Sequence, residues 1–140
     1  MNCNNSLIRI VIADSQFLVV EALKTVLDCD ERLLIAGVVH TQYELGKVLS
    51  YEPCDILITD FALFDYDSLD DLQKIKSNNP GTSILILTNS VSKAEFTSFT
   101  KIGIKQIICK TANRDEIFSA IESALKDKKY YSDEILDMII

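Results

Sequence analysis

Several things are scarce or missing in these 140 residues, and each absence removes a class of function. Apolar runs such as Ile107-Ile108-Cys109 fall far short of the ~20 residues a helix needs to cross a bilayer. The opening Met1-Asn2-Cys3-Asn4-Asn5-Ser6 has neither the basic stretch nor the apolar core of a secretory signal, so a cytoplasmic location is expected. No Cys-x-x-Cys pair occurs among Cys3, Cys29, Cys54 and Cys109, which reads as reduced, mostly structural thiols rather than metal or redox chemistry. His40 is the only histidine, so a zinc site or a histidine-based triad would rest on one residue. GxGxxG and P-loop patterns are absent.

Positive charge is the scarcer sign. Fourteen Lys+Arg stand against 21 Asp+Glu, a net charge of −7. This segment therefore lacks the basic face that would neutralise phosphates, and it is poor bait for an anionic membrane. There is no Gly/Ser/Pro linker and no repeat, and the length suits one domain. The hydrophobic fraction of 48% is enough for a real core, which excludes low-complexity disorder.

What is present is an alternation of short apolar runs with segments of helical period. The runs are 7–13, 33–39, 55–59, 83–87 and 106–109. Between and after them the pattern predicts helices over about 16–27, from the cap Thr41 to Tyr51, 68–77, 93–101, and 114–127 with Asn113 and Glu116 at its start. Five β–α pairs with nearly all-apolar strands predict a parallel sheet covered on both faces, a doubly wound α/β fold. A (β/α)₈ barrel needs about eight such units and is excluded. Past 127, Ser132 is placed to cap a further helix whose apolar positions include Ile135, Leu136, Met138, Ile139 and Ile140.

Ligands of open parallel sheets sit at the carboxyl ends of the strands. The residues closing the first, third, fourth and fifth runs are Asp14, Asp60, Thr88 and Lys110. Taken singly, each is an ordinary loop polar. As a set they have a chemistry. Two neighbouring carboxylates disfavour each other's charge unless a cation balances them; Lys110 can do so, and Mg²⁺ with waters can do it better. A balanced, ionised Asp can attack phosphorus to give an aspartyl-phosphate, with Lys110 neutralising charge on the phosphoryl group and Thr88 hydrogen-bonding it.

Over residues 7–127 this pattern resembles the receiver domain of two-component response regulators. The resemblance rests on Asp14 after Ile10-Val11-Ile12-Ala13, Asp60 after Ile56-Leu57-Ile58-Thr59, Thr88 after Ile86-Leu87, and Lys110 after Ile107-Ile108-Cys109. It implies a flavodoxin-like (βα)₅ fold, with a five-stranded sheet of order 2-1-3-4-5. It also implies that Asp60 accepts phosphate from a sensor histidine kinase, that Asp14, Asp60 and the Ala62 carbonyl hold Mg²⁺, and that Lys110 and Thr88 contact the phosphate. Lys128-Lys129-Tyr130-Tyr131-Ser132 looks like the start of a linker in NarL/LuxR-type regulators. On that likeness, 128–140 leads towards an output domain that would carry any DNA contact, and the receiver pairs as a homodimer through its first and fifth helices.

Two positions depart from the family pattern. Ser15 stands where a second acid is usual, so it would act on the metal only through a water. Ile107 stands where a Tyr or Phe usually reports phosphorylation by rotating; a β-branched aliphatic has few rotamers and no hydroxyl. The departures leave open a degenerate receiver that binds partners without regulated phosphorylation. A flavodoxin-like redox or nucleotide-binding protein is a third reading, disfavoured by an acidic first turn with no glycine.

Overall fold

The computed structural model describes residues 7–140; the first six residues, with Cys3 and the segment read for a signal, lie outside the described part. The elements follow the order β1 (Ile8–Ala13), α1 (Phe17–Leu27), β2 (Leu33–Val39), α2 (Gln42–Tyr51), β3 (Ile56–Thr59), α3 (Leu69–Asn78), β4 (Ser83–Thr88), α4 (Lys93–Ile102), β5 (Gln106–Cys109), α5 (Arg114–Leu125), β6 (Tyr130–Tyr131) and α6 (Asp133–Ile139). All strand pairs are parallel, in the order β2-β1-β3-β4-β5-β6. The five-stranded order expected from the sequence is there, extended by one short strand.

Successive strand residues face opposite sides, and both sides are buried. Val11, Ala13, Leu57, Ile84, Ile86, Ile107 and Cys109 share one core with residues of α2, α3, α4 and α6. Ile10, Ile12, Ile56, Ile58, Leu85, Leu87 and Ile108 share the other with α1 and α5. This two-sided burial is why the strands read as unbroken apolar runs.

The helices start where side chains can bond their free N–H groups. Thr41–Glu44, Ser68–Asp71, Ser92–Glu95 and Asn113–Glu116 each form a reciprocal capping box. Helix α4 ends on Gly103 at φ +100, with Ile104 N–H donating to the Phe99 carbonyl and Gly103 N–H to that of Thr100. Asp127, at φ 55, makes the same kind of stop after α5, with Lys128 N–H donating to the Ser123 carbonyl. That turn sends the chain back along the sheet into β6. Among the described residues, no helix is long and apolar enough to cross a membrane.

Candidate functional site

Strand order reverses around β1, because β2 lies on one side of it and β3 on the other. Crossovers from β1 and β3 leave in opposite directions, and a crevice opens at their carboxyl ends. Asp14 directly follows β1 and Asp60 directly follows β3. Lys110 follows β5, two strands from β3, and its backbone N–H donates to the Thr88 carbonyl at 2.9 Å. Its side chain reaches across to both acids.

The Lys110 ammonium lies 2.6 Å from Asp60 Oδ2 and 3.2 Å from Asp14 Oδ2. All three side chains are nearly sealed from water, at 6%, 0% and 2% exposure. The other oxygen of each acid is held by backbone: Asp14 Oδ1 accepts from Gln16 N–H at 2.8 Å, and Asp60 Oδ1 accepts from Ala62 N–H at 2.9 Å and Leu63 N–H at 3.4 Å. Asp14 Oδ2 and Asp60 Oδ2 are buried and receive no well-angled hydrogen bond, so Lys110 acts on them as a charge rather than as an aligned donor. Two buried oxygens, each left with uncommitted lone pairs and sharing one ammonium, suit a divalent cation with hard oxygen preferences. Among the described residues no cluster of three His, Cys, Asp or Glu forms, so a metal here would rely on two carboxylates, a carbonyl and waters.

The other candidate positions lie as follows. Ala62 is exposed in the turn after Asp60, and no donor among the described residues reaches its carbonyl. Ser15 is exposed, and its hydroxyl donates to the Leu63 carbonyl at 2.8 Å, tying the β1–α1 turn to the β3–α3 loop. Thr88 is 5% exposed, and its hydroxyl donates to the Ser90 carbonyl at 3.0 Å rather than to the acids. The structure thus brings Asp14, Asp60 and Lys110 together, while buried Thr88 and exposed Ser15 bond to other partners.

One contributor carried no signal in the sequence. Gln16, at the head of α1, places its amide oxygen against the Lys110 ammonium, so three oxygens surround the lysine. The two residues are 94 positions apart, and a Gln before a helix has no motif of its own. Below the site, Tyr66 shares a hydrogen bond of 2.9 Å with the Thr59 hydroxyl, which itself donates to the Ala13 carbonyl at 2.7 Å. Burial pushes the Tyr66 phenol well above its ordinary range, since an anion there would lack solvation. Phe61 stacks on Tyr66 at 6.0 Å between ring centroids.

Comparison with known proteins gives the family. The family model of the response regulator receiver domain matches residues 10–122. The transcriptional regulatory protein MctR of Rhizobium johnstonii is 24% identical over 136 residues, covering 95% of this chain and 62% of MctR. The transcriptional regulatory protein DesR of Bacillus subtilis is 24% identical over 131 residues, covering 94% of this chain and 65% of DesR. The chain therefore spans less than two thirds of the length of these relatives. Among solved structures, the isolated REC domain of RcsB from Salmonella enterica serovar Typhimurium, in the presence of the phosphomimetic BeF3⁻, superposes with a TM-score of 0.86 at 21% identity. It covers 96% of this chain and 100% of that one. A LuxR-family two-component response regulator from Aurantimonas gives a TM-score of 0.83 at 20% identity, covering 95% of each chain. With a family model that matches most of its length, the chain belongs to the response regulator receiver domain family.

Proposed function

We propose that this receiver is a phosphorylation-dependent switch in which Asp60 accepts a phosphoryl group from a histidine kinase, with Mg²⁺ as cofactor. The observation that carries this reading is the buried Asp60 Oδ2, 2.6 Å from Lys110 and free of hydrogen bonds, while Oδ1 is fixed by two backbone N–H groups. Oδ2 is the oxygen with lone pairs available for attack. It bonds to phosphorus as the bond from phosphorus to the donor's leaving group breaks, and the leaving group departs with that electron pair. Lys110 follows the charge from the carboxylate to the new phosphoryl oxygens. Thr88, released from Ser90, would donate its hydroxyl to them. Asp14, Asp60 and the Ala62 carbonyl would hold the metal, with Ser15 acting through a water. When bound, Mg²⁺ supplies charge neutralisation for the transferred group. The protein modifies its own Asp60 and turns over no small molecule.

The fraction of MctR and DesR left uncovered supports a longer protein, in which 7–127 is the receiver and 128–140 leads to a DNA-binding output domain. A cytoplasmic place and regulation of transcription follow from that reading. Pairing of two receivers through α1 and α5 is supported by Phe17 and Leu18, which are 73% and 79% exposed on α1.

The test is incubation with acetyl phosphate or phosphoramidate and Mg²⁺, followed by intact mass. One added phosphate on the wild type and none on Asp60→Asn supports the switch. No adduct, together with no response to millimolar Mg²⁺, supports the alternative of a degenerate receiver serving as an interaction or dimerisation module. That alternative draws on Ser15, whose hydroxyl donates away to Leu63 where a second acid would stand.

A further inference from the structure

The segment after α5 is joined to the phosphoacceptor end of the sheet by two separate routes. The first is polar. Ser132 precedes α6 but makes no side-chain cap to it. Its hydroxyl instead accepts the backbone N–H of Cys109 at 3.1 Å, 23 residues back. Cys109 is covalently next to Lys110. Ser132 is 1% exposed, so no water competes for this bond, and breaking it would leave a buried amide without a partner.

The second route is aromatic. Phe61, the residue after Asp60, meets Phe99 of α4 at 5.9 Å with the rings nearly perpendicular. One turn earlier on the same helix, Phe96 meets Tyr131 of β6 at 4.9 Å, again steeply inclined. Helix α4 thus touches the phosphoacceptor loop through one ring and the terminal segment through another. Tyr131 lies in register beside Ile107, and Ile135 of α6 is fully buried in the cluster that holds Phe99, Ile107 and Cys109.

The geometry points to the segment Tyr130–Ile139 as an intramolecular latch whose hold on the sheet is released by phosphorylation at Asp60. This rests on Asp60 being the phosphoacceptor. A phosphoryl group there carries up to about two negative charges in place of the carboxylate's one, a net gain of about one, and moves that charge outward beside Lys110. The ammonium then shifts from Asp14 and Gln16 towards the phosphoryl oxygens and pulls on the backbone it shares with Cys109. Thr88 gives up the Ser90 carbonyl for the phosphoryl group, which frees the turn leading into α4 and with it Phe96. Ser132 and Tyr131 fit the unmodified arrangement, so both displacements act against docking. Coupling of this kind is reciprocal: a loosened latch favours the phosphorylated form by the same factor.

Hydrogen exchange followed by mass spectrometry on the full chain, with and without Mg²⁺ and beryllofluoride, tests the latch, and intact mass after acetyl phosphate reports the adduct independently. Exchange over 130–139 is expected to speed up by about fivefold or more, the lower end of ordinary coupling between sites, while β1 and β3 stay protected. Ser132→Ala and Tyr131→Leu each cut one route. Both are expected to speed exchange without phosphate and to tighten beryllofluoride binding by the same factor. Ser132→Ala carries the comparison if loss of the Tyr131 ring compromises folding, as judged by thermal unfolding. An adduct on Asp60 with unchanged or slower exchange over 130–139 overturns the latch alone. Absence of any adduct overturns the phosphoacceptor reading and the latch with it.

Discussion

Lys110 Nζ sits 2.6 Å from Asp60 Oδ2, and Asp14 claims the same ammonium from 3.2 Å. One positive charge therefore serves two sealed carboxylates. The site carries a net negative charge where water cannot screen it, and that imbalance governs both its stability and what it attracts.

Replacing Lys110 with Met leaves the two acids facing each other without a counter-charge, and is expected to cost about 3–5 kcal/mol of stability. Asp60→Asn removes the surplus charge instead, and should lie within about 1 kcal/mol of wild type or above it. Urea unfolding at neutral pH checks both. Millimolar Mg²⁺ should raise the wild-type midpoint and leave that of Asp60→Asn nearly unmoved, because a ligand stabilises only the state that binds it.

Ser15→Asp restores a carboxylate at the rim and removes the hydroxyl that donates to the Leu63 carbonyl. Mg²⁺ affinity, measured by calorimetry, is expected to rise about tenfold with the added ligand charge. Without metal the same variant should be less stable than wild type, since it adds a third negative charge to the crevice. Unchanged Mg²⁺ affinity would show that position 15 does not face the ion.

Gln16 contacts Lys110 directly, so on the proposed phosphoacceptor reading it is a positioning residue that acts on the phosphoryl group only through the lysine. Gln16→Met keeps the length and loses the oxygen, and phosphorylation by acetyl phosphate is expected to slow about tenfold as the ammonium loses one of its three anchors. Gln16→Glu returns an acceptor and should recover most of the rate. If thermal unfolding is unchanged while the rate falls, the effect lies in placement of Lys110 and not in the fold.

Tyr66 predicts an alkaline weakness. Its folded-state pKa is raised above the ordinary 10.0 by burial, so the native state holds its proton after an unfolded chain would release it. The stability tied to that neutral phenol is complete below pH 10 and is lost as pH rises from there towards the folded value. Tyr66→Phe keeps the ring against Phe61 and Phe64, gives up the bond to Thr59 at a cost of about 1 kcal/mol, and should show a shallower loss of stability above pH 10. Guanidinium midpoints across that range measure the slope.

Much of this was legible in the sequence, for a physical reason. Strands buried on both faces must be apolar throughout, so Ile10 to Ala13 and Ile84 to Leu87 announced themselves, and the polar residues ending those runs marked the crevice. Helix starts were equally readable where Thr41 and Asn113 stood three residues before a Glu. Strand β6 was not readable: two tyrosines are too short for any period, and their pairing with Gln106 and Ile107 is set by the turn at Asp127. Ser132 looked like a helix cap because local chemistry favours that use, yet its hydroxyl went to Cys109, a distant partner no local pattern encodes. The same applies to Gln16 and Lys110, and to the Thr88 hydroxyl, which turns to its own loop at Ser90.

The short strand β6 also decides how the sheet ends. Tyr130 N–H donates to the Lys105 carbonyl, Ser132 N–H to that of Ile107, and Cys109 N–H to Ser132 Oγ, so the outer rim of β5 has its polar groups satisfied. Release of Tyr130–Ile139 would make β5 an edge strand, with those carbonyls and that amide bare beside an apolar surface. Such an edge is a template for any extended chain, whether a partner's strand or another copy's. Two tyrosines and a serine thus cover β5, so that the two-residue strand β6 and strand β2 are the rims of the sheet.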